Sequence, residues 1–154
     1  MTFSATISPE SIASFSAAVK SRLEASRQPV QAAMAETLFN VVDANFGSVG
    51  WDRPFEWAPL SPSYAKKVGR EFATLFVTGA LKATLEKESG PEVASVSMGN
   101  SSQVPYALAH HYGVAQNNLP ARRVFPLDES GKVTDKTVAI VIQSAKAALK
   151  GVLS

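Results

Sequence analysis

The chain has 154 residues, 45% of them hydrophobic, and a net charge of +2, which is the size of one ordinary domain able to fold without staples. It contains no cysteine, so disulfides and thiolate metal sites are excluded; that fits a reducing compartment without requiring one. Lysines and arginines are scattered among acids, against the long-range field of a dedicated nucleic-acid binder, although a local basic patch stays open. No apolar run nears the roughly 18 residues of a membrane span, and Met1-Thr-Phe-Ser-Ala-Thr-Ile-Ser8 lacks the basic and apolar regions of a secretory signal.

Ser8-Pro9-Glu10 predicts a helix start: Ser8 can cap free amides, Pro9 suits the first helical position and Glu10 favours the positive end of the dipole. Ile12, Phe15, Val19 and Leu23 then recur at spacings of three and four, which places them on one face. Pro29 marks a kink or a new start, and Val30, Met34, Leu38, Val41 and Asn45 continue the stripe until Gly47 supplies a stop. The first third is therefore expected to hold two helices or one bent helix.

From about 47 to 61 the periodicity is lost, and Gly47, Gly50, Pro54 and Pro59 punctuate a run that holds Trp51, Phe55 and Trp57. A loop this long is usually functional or disordered. Its aromatics either dock on another molecule or fold back over the chain's own core. Ser61-Pro62 predicts a capped short helix to about Val68. Thr78-Gly79 breaks the chain and permits a close backbone approach. Leu81 to Lys87 alternates as a half-buried strand does, and with Gly90-Pro91 as the turn and Val93 to Met98 as partner it predicts a β-hairpin.

Pro105 to Tyr112 reads as a short helix stopped by Gly113 in a left-handed conformation, and Arg123 to Leu127 as a brief extended piece. Asp135 to Leu153 suits a closing amphipathic helix, although Val138-Ala-Ile-Val-Ile142 also suits a strand. The expected fold is α+β: amphipathic N-terminal helices and a C-terminal helix or strand packed on a small antiparallel sheet with a hairpin, in a single domain over 1–154.

The stretch Tyr106-Ala-Leu-Ala-His-His-Tyr-Gly113, with Pro120-Ala-Arg-Arg-Val-Phe125, gathers aromatic, imidazole and guanidinium groups around one short element. His110 and His111 are adjacent, so on a helix they diverge by about 100° and grip one metal poorly. The sequence spacing supplies no third ligand. There is no Gly-x-Ser-x-Gly elbow, no acid placed to orient an imidazole and no P-loop. An enzyme, a cofactor and a metal are accordingly not expected. The plain reading of the pair puts His110 inward, hydrogen-bonded to backbone, and His111 outward. Arg122 and Arg123 read as loop residues able to clamp a carboxylate or phosphate, or as ordinary solvated charge; Lys66, Lys67 and Arg70 read the same way.

Trp57-Ala-Pro-Leu-Ser-Pro-Ser-Tyr-Ala-Lys-Lys67, Leu75-Phe-Val-Thr-Gly-Ala-Leu81, the Tyr106 stretch and Pro120-Ala-Arg-Arg-Val-Phe125, in this order, resemble the phage virion morphogenesis family, the tail completion proteins of Mu-like phages. The chain departs from the family pattern in having Arg122-Arg123-Val124-Phe125 in place of Arg-Pro-Phe, and His111 where Gln is frequent. The resemblance implies a structural protein of the neck or upper tail, assembled in the host cytoplasm and carried in the virion. It further implies a ring of copies, six favoured, that meets the tail tube or the neck and connector proteins, touches no membrane, and leaves DNA in the lumen as a further contact. The side chains expected at the subunit interface are Trp51, Phe55, Trp57, Tyr106, His110, His111, Tyr112, Arg122 and Arg123, with Gly79 and Gly113 setting backbone geometry. The rival readings are a nucleic-acid module built on a local basic patch and a small His-dependent hydrolase.

Overall fold

The computed structural model describes residues 8–47, 56–69, 75, 79–99, 104 and 106–154. Among them the fold is α+β, with five α-helices and one two-stranded antiparallel sheet. Helix α1 spans Pro9–Ala44, α2 Pro62–Val68, α3 Ala80–Ala83, α4 Ala107–Tyr112 and α5 Asp135–Leu153, and the strands are β1 Glu86–Ser89 and β2 Ala94–Ser97.

The local start signals act as their chemistry dictates. Ser8 Oγ accepts from Ser11 N at 3.2 Å, Ser61 Oγ from Tyr64 N at 3.4 Å and Thr134 Oγ1 from Thr137 N at 3.4 Å, each supplying an acceptor to a helix's unpaired first turn. Proline follows the first two caps. The C-terminal segment is helix throughout, so the strand alternative over 138–142 is set aside.

The first third is one continuous helix of 36 residues with Pro29 inside it. Pro29 removes the amide that would bind the Ala25 carbonyl, but Ala25 is exposed and water can serve the acceptor. The helix stops at Ala44, before Gly47, whose φ is not positive. Asn45 ends it instead: this fully buried side chain donates from Nδ2 to Val124 O at 2.9 Å, which ties the end of α1 to a segment 79 residues away.

The hairpin forms with Glu86 opposite Ser97 and Ser89 opposite Ala94, closed by Gly90 N donating to Val93 O at 2.8 Å. Its first strand begins later than the alternation suggests, because Leu81 to Ala83 are helical. Leu81 and Leu85 are four apart, a spacing that serves a helical turn as well as alternate strand positions, and both are buried. Gly79, at φ +75°, enters that turn in a left-handed conformation. A lone two-stranded hairpin is marginal in water, and this one leans on α1 through Lys87 with Glu36, Gln28 with Ser89 O and Arg27 with Glu92.

Helix α5 lies along the opposite course on α1. Ser144 Oγ donates to Ala33 O at 3.2 Å, while Ile140, earlier on α5, shares a shallow cleft with Thr37, Asn40, Val41 and Ala44, later on α1. The two helices are thus antiparallel. The core sits at the C-terminal end of α1, where Val42, Phe46, Leu81, Leu85, Val104, Ala107 and Val124 form one buried cluster; each large aliphatic side chain so buried contributes about 1.5–3 kcal/mol. The first buried residue of α1 is Ser26, and from Pro9 to Ala25 every residue is exposed.

Candidate functional site

Helix α4 divides its side chains between two environments. Ala107 and His111, four apart, face the core, while Leu108 and Tyr112, also four apart, face out, 70% and 66% exposed. Tyr106 precedes the helix and stands edge-on to His110 with ring centroids 5.6 Å apart. Leu108 was not singled out by the sequence, because a single leucine in an apolar heptapeptide carries no sign of which way it points.

The histidines lie opposite to expectation. His111 is the buried one, its ring edge-on to Tyr112 at 4.8 Å and to Phe125 at 5.9 Å, and His110 is half-buried. Among the described residues neither Nδ1 has a hydrogen-bond partner, so the backbone bond expected at His110 is absent at that nitrogen. Burial lowers the pKa of both imidazoles, aided by the charge of Arg122 at His110 and of Arg123 at His111. Both rings are held towards the neutral form. A histidine acting as general base needs a group that orients its other nitrogen, and among the described residues no such group is bonded to Nδ1 of either ring. Among the described residues no three His, Cys, Asp or Glu side chains come together as metal ligands.

Arg122 is not the exposed clamp its loop suggested. It is 5% exposed and donates from Nε to Ala58 O at 3.0 Å and from Nη2 to Pro59 O at 3.1 Å. Burial lowers its pKa, and the bonds to the two carbonyls offset part of the lost hydration. Trp57 answers in the other direction, its Nε1 donating to Arg123 O at 2.9 Å while its ring meets Phe46 edge-on at 6.5 Å. These three bonds make a clasp that straps residues 57–59 across 122–123. Of the two readings of the aromatic loop, Trp57 therefore takes the second and covers the chain's own core; Trp51 and Phe55 lie outside the described residues. Arg123 is half-buried and its Nη1 donates to Asp128 O at 2.9 Å. Residues 123–126 pair with no strand among the described residues, and a bridge between Leu127 and Val133 follows them.

Gly113 underlies the clasp. Its φ of +75° with ψ of +166° is not the left-handed helical conformation expected but an extended one open essentially to glycine alone. A Cβ there would come within 2.7 Å of Ala121 N and 2.9 Å of Leu119 O. That closeness lets Arg122 N reach His110 O at 2.7 Å and brings the arginine under the strap.

The arrangement sorts the expected residues into two sets. Trp57, His111 and Arg122 turn inward and hold the molecule together, whereas Tyr106 and Tyr112, joined by Leu108, stand at the surface. Lys66 and Lys67 are exposed on α2, while the Arg122 guanidinium is taken up by the carbonyls of Ala58 and Pro59. Comparison of the chain with protein-family models, with curated proteins and with solved structures gives no match. No helix among the described residues is long and apolar enough to cross a membrane.

Proposed function

We propose that the protein is a structural component of a phage or prophage particle, placed at the neck or upper end of the tail, and that it works by self-assembly into a ring without catalysing a reaction. The observation that carries this reading is the outward set on α4: Leu108 and Tyr112 present an apolar and aromatic surface backed by a clasp that fixes its position. Exposed aromatics on a rigid support are the usual energetic centre of a protein interface. The order and spacing of the motifs from Trp57 to Phe125 supply the viral context.

Ring closure requires a heterologous contact, in which one surface of a subunit meets a different surface of the next. The rival readings draw less support. A basic patch loses Arg122 to backbone carbonyls, and a hydrolase lacks, among the described residues, a group orienting Nδ1 of either imidazole. Electron microscopy of purified particles carrying a labelled copy tests the placement: label at the junction of head and tail, or at the upper tail, is expected, and particles without label contradict it.

A further inference from the structure

Pro9–Ala25 is a helical arm of seventeen residues, all exposed, at the end of α1. Its apolar residues, Ile12, Phe15, Val19 and Leu23, are 55%, 70%, 40% and 48% exposed. A helix of this length without packing is at the margin of stability in water. The stripe has a counterpart on the same helix: adding eighteen to each number gives Val30, Ala33, Thr37 and Val41. Eighteen residues are five turns of an α-helix, so the two sets share one face. The second set is where α5 docks, through Ser144 on Ala33 and Ile140 beside Thr37 and Val41. The arm therefore repeats, five turns along, a surface that already receives an antiparallel helix.

A helix face suited to it is present on the same chain. On α5, Val138, Ile142, Ala145 and Leu149 form a stripe about two fifths of a turn away from Ile140 and Ser144, which meet α1. Val138 and Ile142 are 39% and 46% exposed, and Leu149 lines a shallow surface groove with Leu153. Each stripe spans twelve residues. Laid antiparallel, Leu23 meets Val138, Val19 meets Ile142, Phe15 meets Ala145 and Ile12 meets Leu149. The largest side chain of one stripe falls opposite the smallest of the other, as interdigitated packing requires.

We infer that the arm of one copy lies antiparallel on the outer face of α5 of the next copy, and that this is the head-to-tail joint of the ring. The inference rests on the self-assembly proposed above and names the surfaces that perform it. The contact is heterologous, so each copy gives an arm to one neighbour and receives one from the other.

Because the chain has no cysteine, the joint can be trapped in the full-length protein. Val19→Cys and Ile142→Cys replace exposed residues, singly and together, and oxidation is followed by a denaturing gel and by native mass of the parent. The double variant is expected to give a ladder of covalent oligomers longer than dimers, and each single variant none. A dimer from Val19→Cys alone would show arms packed on arms and overturn the inference. No ladder from the double variant, with a parent that is still oligomeric, would overturn the arm joint while leaving ring assembly standing. A parent that is monomeric at every concentration reached would overturn both.

Discussion

The clasp around Arg122 and the arm at Pro9–Ala25 use the same kinds of residue for opposite ends. In the clasp, tryptophan and arginine, types enriched at interfaces, are turned into the molecule and bound to its own carbonyls. In the arm, ordinary isoleucine, phenylalanine, valine and leucine at helical spacing are left in water. Chemical distinctiveness and availability are different properties. A side chain that can make several bonds is as useful within a fold as between folds, and only the path of the rest of the chain decides which.

If that division holds, substitutions in the clasp change the stability of the subunit and substitutions in the arm change its association. The largest stability loss is expected from Gly113→Val, which combines a backbone conformation closed to β-branched residues with overlap at Ala121 N; roughly 2–5 kcal/mol is expected. Denaturant unfolding of the variant measures it, and a midpoint equal to the parent's would remove Gly113 from the account.

Arg122→Met keeps much of the length and loses both bonds to the strap, at a cost of about 2–3 kcal/mol. Trp57→Phe keeps an aromatic ring and loses one bond, costing about 1 kcal/mol beyond any change in packing. Equal losses at the two positions would mean that the strap is held by the aromatic ring and not by the guanidinium.

The histidines set a pH dependence. Their folded pKa values lie below the ordinary 6.5, through burial first and the neighbouring arginines second. The unfolded chain thus takes up protons before the folded one. The stability that neutral imidazoles allow is full above 6.5 and is lost as pH falls through the lowered folded values. Melting temperature should decline across that window, and His111→Gln should make the decline shallower. A profile unchanged by the substitution would leave the decline to other groups.

The smallest effect on subunit stability is expected in the arm, where Leu23→Lys changes an exposed residue and should stay within about 0.5 kcal/mol of the parent. The same variant should sediment as smaller species than the parent. A large loss of stability with unchanged mass would reverse the roles assigned to the two regions.

What could be read from the sequence was whatever is decided within a few residues. The caps at Ser8 and Ser61, the short helix to Val68, the hairpin turn at Gly90 and the positive φ at Gly113 follow from local chemistry. The start of β1 was misplaced because the Leu81–Leu85 spacing satisfies two periodicities. The partners of Arg122 lie 63 and 64 residues away, and that of Asn45 lies 79 away; no local pattern announces them. Periodicity likewise showed that Ile12, Phe15, Val19 and Leu23 share a face, but whether anything covers that face depends on where α5 ends.

The central claim is that this chain acts by joining copies of itself, and the native mass of the full-length protein across a range of concentrations tests it most directly. A closed oligomer of one size, six copies favoured, that dissociates on Leu23→Lys without unfolding is the predicted result. A monomer at all concentrations, with the arm helical and unchanged by that substitution, would contradict it.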